Sequence, residues 1–204
     1  MARVTKDPQA RKQELVDTAE HLFLERGYDQ TAISDIVGEI NVAQGTFYYY
    51  FSSKADVLEA VVEKTIAALE AELRTTLDQS EINAAEKLGT MINTIFRYYR
   101  NREGLIDCVH QEGNTFLHEK MEEMTYARLT PPLSNVLAHG VTEGHFTMPY
   151  PTETAEIILG AVFHSLHRSD VASDPDRRRR VRMTLEHMLV TMLGTDGHDF
   201  ALKL

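Results

Sequence analysis

Residues 31–54, TAISDIVGEINVAQGTFYYYFSSK, constrain this chain more than any other stretch. Ile33, Ile36, Val37 and Ile40 fall at i, i+3, i+4 and i+7, which is one apolar stripe on a short helix. Thr31 precedes the stripe as a candidate N-cap. Asn41 follows it, and Asn tolerates the left-handed conformation that ends helices. Val42, Phe47 and Phe51 then restart an apolar pattern as the inner side of a second helix. The other side of that helix carries Gln44, Thr46, Tyr48, Tyr49 and Tyr50. Neighbours on a helix sit about 100° apart, so three adjacent tyrosines cannot all enter one core. A Gln side chain pairs bidentately with adenine, and a Thr methyl meets a thymine methyl. Tyr hydroxyls and the Lys54 ammonium suit phosphate oxygens. Two short helices around a tight turn, the second presenting groups of this kind, predict a helix-turn-helix that reads DNA.

Flanking residues extend the pattern. Ala19, Phe23, Gly27-Tyr28, Thr31, Asp35-Ile36-Val37, Asn41-Val42, Ala43 through Phe51 and Ser53-Lys54 occur in unbroken order over about residues 10–60. This segment resembles the DNA-binding domain of the TetR family of bacterial transcriptional regulators. The resemblance implies base-edge or groove contact at Ala43, Gln44, Gly45 and Thr46. It implies phosphate contact at Thr31, Tyr48, Tyr49, Tyr50 and Lys54. The chain departs from the family pattern where Ala43 replaces the usual Ser, Gln44 the usual Lys and Asn41 the usual Gly. The first two changes remove a helix cap and a positive charge, and so bear on the operator sequence.

A formal net charge of −10 by itself argues against a polyanionic partner, but the distribution resolves this. Residues 1–12 carry Arg3, Lys6, Arg11 and Lys12 against Asp7 alone, a net +3, and residues 40–55 contain no acid. Phosphate affinity depends on charge at the contact face rather than on the whole-chain sum. The run Arg177–Arg180 with Arg182 is read as the solvated face of an amphipathic helix that opens at Asp174-Pro175-Asp176, and not as a DNA element.

Along the rest of the chain the period stays helical. Helix one is expected over 9–26. A long helix is expected from a Ser53/Asp56 cap through about residue 77, and another over 83–101. Short segments are expected over 102–112, 114–128 and from Pro131-Pro132 to Gly140. Two final helices run to about His167 and over 175–193, and the tail 194–204 is expected to fray. The prediction is an all-α fold of about nine or ten helices. Residues 1–55 form the helix-turn-helix domain, and residues 56–204 form a ligand-binding and dimerisation domain.

For the C-terminal half the resemblance implies dimerisation and a small-molecule effector of unknown identity. Ala161, Ser165, Leu185, Met188, Leu189 and Met192, on the last two helices, are the candidate homodimer contacts. Phe96, Tyr99, Phe116, Met121, Tyr126, Phe163 and His167 are the candidate pocket, polar-tipped groups amid an apolar bundle.

Other classes fit less well. No stretch approaches 18 consecutive apolar residues, no signal peptide is read at the N-terminus, and Cys108 is the single cysteine. A cytoplasmic protein without a membrane span is expected. The nine histidines form no compact metal-ligand cluster, so no metal and no cofactor are expected. Cys108 and His110 are two residues apart and point away from each other on a helix, and no catalytic motif is found, so no enzyme is expected. The sequence therefore predicts a regulator that binds a double-stranded palindromic operator as a dimer, a repressor by resemblance, released by an inducer. The alternative is a helical interaction module, or a metal-responsive regulator without an organic inducer.

Overall fold

The computed structural model describes residues 7–79, 81–102, 115–166, 174–195 and 200–203, with the backbone alone for 115–117. Among these residues there are eight helices and no strand, in line with an all-α fold and slightly fewer than the nine or ten expected. The expected segment 102–112 lies outside the described residues apart from Arg102. The helices are α1 (Pro8–Arg26), α2 (Ile33–Glu39), α3 (Gln44–Tyr50), α4 (Lys54–Leu77), α5 (Ala84–Arg100), α6 (Thr115–Thr142), α7 (Pro151–Leu166) and α8 (Pro175–Leu193).

Two compact units divide the chain. The first is Met1–Thr65 with Arg102–Met121; the second is Ile66–Asn101 with Glu122–Leu204. The division therefore falls inside α4, and part of α6 belongs to the first unit.

In the first unit, Pro8 opens α1, and the Asp7 carboxylate accepts the free N–H groups of Gln9 (3.0 Å) and Ala10 (3.1 Å). Leu15, Val16, Ala19, Leu22 and Phe23 form its buried face, as the period requires. The cap of α2 differs from expectation. Ala32, not Thr31, occupies the N-cap, and the Asp35 carboxylate reaches back to the Ala32 N–H at 2.8 Å. Asn41 stands at φ 52°, in the left-handed region, and Val42 N–H closes onto Val37 O at 3.0 Å. At the head of α4 the capping is reciprocal. Asp56 N–H donates to Ser53 Oγ (3.2 Å), and Ser52 N–H donates to the Asp56 carboxylate (2.9 Å). The Ser53 hydroxyl also donates to the Asp56 carboxylate, and this bond, with that from Ser52 N–H, holds the carboxyl below the usual carboxylate range. Lys64 ties α4 to α1 through Asp17 and Glu20, and Lys120 ties α6 to Glu59 of α4.

In the second unit, α5 opens with a full capping box. Asn83 Oδ1 accepts Glu86 N–H at 2.9 Å, and the Glu86 carboxylate accepts Asn83 N–H at 3.0 Å. The sequence split the region 114–140 at Pro131-Pro132, but α6 runs through both prolines as one helix. A proline inside a helix removes a hydrogen bond and crowds the preceding turn. Here Leu129, Leu133 and Leu137 lie at helical spacing on both sides of the prolines and are almost fully buried, so packing outweighs that local cost. Gly140 lets the Phe146 ring pass directly over α6, since a Cβ there would lie 2.2 Å from Phe146 Cδ2.

The C-terminal tail also departs from expectation, because residues 200–203 pack instead of fraying. Phe200 and Leu202 are each 2% exposed. Asn93 on α5 donates to Ala201 O (3.1 Å) and accepts from Lys203 N–H (2.6 Å), serving the backbone of the strap from both sides. Phe200 O lies against Gly89, where any Cβ would sit 2.0 Å from it.

Candidate functional site

The helix-turn-helix positions its side chains through two buried anchors. Phe47 and Phe51 are 0% and 5% exposed, with ring centroids 5.6 Å apart. They fix the inner face of α3, so the residues between them and before them turn outward. Ala43, Gln44, Gly45, Tyr48 and Tyr49 are exposed, and Thr46 and Tyr50 are half-buried. Tyr48 meets the edge of Phe47 at 5.6 Å, and Tyr49 lies edge-on to Tyr50 at 4.8 Å, so the tyrosines brace one another while remaining accessible. Ala43 offers no side-chain cap to α3. The amine of Lys12 on α1 lies 5.6 Å from the Phe51 ring, which brings a cation to this region. The sequence counted Lys12 only among the N-terminal charges and gave no sign of this placement.

Two residues expected at phosphate face inward instead. Thr31 is 1% exposed, and its hydroxyl donates to Gly27 O at 2.8 Å. Lys54 donates to Tyr28 O at 2.7 Å and to Thr31 O at 3.0 Å, with its nitrogen 4.0 Å from the centroid of the Tyr28 ring. Thr31 and Lys54, expected at phosphate, are thus engaged by main-chain carbonyls of the protein's own turn. A periodicity argument tells which face of a helix is apolar, but not whether a loop carbonyl has come close enough to take a donor.

The candidate pocket residues divide. Phe96, Tyr99 and Phe163 are buried in the second unit, with Tyr99 and Phe163 ring centroids 5.3 Å apart; Tyr126, half-buried, lies 6.3 Å from Phe163. Burial pushes the Tyr99 hydroxyl up to about 12, with the neighbouring Thr125 hydroxyl pulling the other way. Burial, with Glu122 and Glu156 nearby, also raises Tyr126. Met121 belongs to the first unit, and the side chain of Phe116 and all of His167 lie outside the described residues. A narrow space in the second unit, too tight for a water molecule, is lined instead by aliphatic groups including Leu73, Ile95, Leu129, Leu159 and Val162. Among the described residues, none of the predicted pocket residues borders it. They lie close by in sequence, since Tyr99 and Phe163 follow Ile95 and Leu159 by one helical turn.

The candidate dimer residues divide as well. Leu185 and Leu189 are 5% and 1% exposed and belong to the core of the single chain. Ala161, Ser165, Met188 and Met192 are half-buried. The same two helices expose Ile157 and Met183 at 56% and 53%, two apolar residues that the sequence reading passed over. Among the described residues, no group of three His, Cys, Asp or Glu side chains could hold a metal, and no helix is long and apolar enough to cross a membrane.

Known proteins place this arrangement. Residues 15–61 match the profile of the bacterial regulatory proteins of the tetR family. The chain is 29% identical over 202 residues to an uncharacterized HTH-type transcriptional regulator, YvdT, of Bacillus subtilis (strain 168), covering 93% of this chain and 98% of that one. It is 25% identical over 153 residues to the fatty acid metabolism regulator protein of the same organism, covering 73% and 78%. In fold it is similar to RolR crystallised with resorcinol, with a TM-score of 0.70, 22% identity and coverage of 95% and 92%. The ordered motif of residues 15–61, the exposed face of α3 and the full-length relatives agree: residues 15–61 carry a helix-turn-helix DNA-binding domain of the TetR type, and the chain is a transcriptional regulator.

Proposed function

We propose that this regulator is a cytoplasmic homodimeric repressor that reads a palindromic operator through α3 and is released from it by a small, largely apolar organic molecule. The observation that carries the reading is the outward face of α3. Ala43, Gln44 and Gly45 are exposed ahead of the buried anchor Phe47, and Tyr48 and Tyr49 are exposed behind it. Gln44 and Thr46 read base edges, and Ala43 and Gly45 let the backbone approach the groove. Tyr48, Tyr49 and Tyr50 hold phosphates and set the register.

Support for the dimer comes from the outward faces of α7 and α8. Ile157 and Met183 are exposed there, and Ala161, Ser165, Met188 and Met192 are half-buried. Apolar groups on two helices per subunit suit a four-helix interface, and a two-fold protein reads a two-fold site. Support for an apolar effector comes from the aromatic cluster of Tyr99, Phe163 and Tyr126 in the second unit, apolar faces with hydroxyl tips. The solved relative RolR holds resorcinol, an aromatic with two hydroxyls, which is consistent with this chemistry. Release follows if the effector prefers the form whose two DNA-binding heads are wrongly spaced.

The test is selection of bound duplexes from a random pool. Enrichment of a two-fold palindrome is expected. Enrichment of a single, non-repeated site would remove the dimeric reading, and no enrichment by folded protein would remove specific DNA reading altogether.

A further inference from the structure

We infer that Lys54 is a positioning residue for DNA reading: its ammonium clamps the α1–α2 turn to the head of α4, and so closes a frame around the recognition helix. The inference rests on the reading of α3 as that helix.

The geometry is a three-point cage. The ammonium donates to two backbone carbonyls, Tyr28 O at 2.7 Å and Thr31 O at 3.0 Å, and sits 4.0 Å from the Tyr28 ring centroid. An ammonium has three donors, so two of them are committed to the turn. The turn is itself ordered to receive them. Tyr28 lies edge-on to the buried Phe23 at 5.2 Å, and Thr31 N–H closes onto Tyr28 O at 3.1 Å. The buried Thr31 hydroxyl binds Gly27 O at 2.8 Å. Thr31 stands two residues before α2, and Lys54 is the first residue of α4. The bond between them therefore spans the whole helix-turn-helix, from the entry of α2 to the exit of α3.

Bonds from a charged donor are stronger than neutral ones, and moving this ammonium to a phosphate would forfeit both of them together with the ring contact. Recognition needs its side chains held to within about 0.5 Å of their working position. Loosening the frame should therefore harm base-specific binding more than the electrostatic, sequence-independent kind. A phosphate ligand would behave in the opposite way, weakening all duplexes alike.

Lys54→Met keeps the stem against Tyr28 and removes the donors. With a duplex selected by the wild-type chain, the ratio of specific to non-specific affinity should fall roughly tenfold, the scale of one lost charged hydrogen bond. The dependence of log affinity on log salt should stay unchanged. Without DNA, the Thr31 amide should exchange its hydrogen faster in the variant by a comparable factor. Tyr28→Leu, which leaves the charge in place, should also lower the specificity ratio with the salt slope unchanged.

A uniform loss across sequences in Lys54→Met, with the slope reduced by about 0.9, would assign the ammonium to a phosphate and overturn the clamp. So would an unaltered ratio in Tyr28→Leu. If the wild-type chain selects no duplex, the reading of α3 fails, and the amide exchange still decides the clamp. Unchanged exchange at Thr31 in Lys54→Met overturns it.

Discussion

Two runs of adjacent tyrosines meet opposite fates in this chain. Tyr48 and Tyr49 on α3 are 52% and 77% exposed, while Tyr98 and Tyr99 on α5 are 7% and 6% exposed. The residue type is the same, so the difference lies in how many sides of each helix are covered. The two turns of α3 bury Phe47 alone, with Phe51 just beyond the helix end. Along its 17 residues α5 buries eleven, including Leu88, Met91, Ile92, Ile95 and Phe96, which leaves neither tyrosine an open side. A tyrosine on a helix packed along one stripe keeps its hydroxyl for a partner molecule. One on a helix packed on several sides becomes core with a polar tip.

That contrast breaks most visibly if both runs are truncated. Tyr99→Ala should destabilise the fold by about 3–5 kcal/mol, the cost of emptying a buried aromatic site. Tyr49→Ala should change stability by no more than about 0.5 kcal/mol while weakening operator binding. Urea unfolding and DNA titration of the two variants check both halves, and similar stability losses would abolish the distinction. Gly89→Val tests whether the covering of α5 by the C-terminal strap matters. A Cβ at that position collides with Phe200 O, so a loss of about 1–3 kcal/mol is expected, together with faster exchange of the Lys203 amide that Asn93 holds. An unchanged melting curve would show that the strap is dispensable.

A smaller effect separates the runs by pH. The Tyr99 hydroxyl, at about 12 in the folded chain, ionises above the free value near 10. The stabilisation associated with its neutral form is therefore complete below pH 10 and disappears as pH rises from 10 to about 12. Absorbance of the folded protein near 295 nm should show at least one tyrosine resisting ionisation until that range. A single sharp titration of all tyrosines near 10 would contradict it. The smallest change expected is at the frame of the first unit. Burial pushes the Asp17 carboxyl up, but hydrogen bonds from Lys64 and Gln13 bring it below its usual range. The pair is about half exposed, so Asp17→Asn should cost no more than about 1 kcal/mol in thermal unfolding.

Most of the first unit was legible in the sequence. Its helices are short and its signals local, so spacing located the turn at Asn41, the Ser53–Asp56 cap and the buried pair Phe47 and Phe51. The outward face of Ala43 to Tyr50 was legible for the same reason, since a helix with two buried anchors leaves its other side to solvent. The partners of Thr31 and Lys54 were not legible because they are main-chain carbonyls of a loop, Gly27 O for one and Tyr28 O and Thr31 O for the other. No side-chain pattern announces a carbonyl. In the second unit the burial of Leu185 and Leu189 within their own chain was not legible either. An apolar stripe states that something covers it, and a sequence does not say whether the cover belongs to the same chain.

The sequence by itself determined the all-helical class, the positions of most caps and the face that α3 presents. Each of these depends on interactions within about four residues, which spacing and residue type encode directly. Only the tertiary structure decided that α6 passes unbroken through Pro131 and Pro132, that Asn93 and Gly89 hold the C-terminal strap, and that Lys54 serves the protein's own turn. Those outcomes depend on groups from 23 to 111 positions apart, or on burial strong enough to override a local preference. Such terms enter the free energy only once distant segments have met.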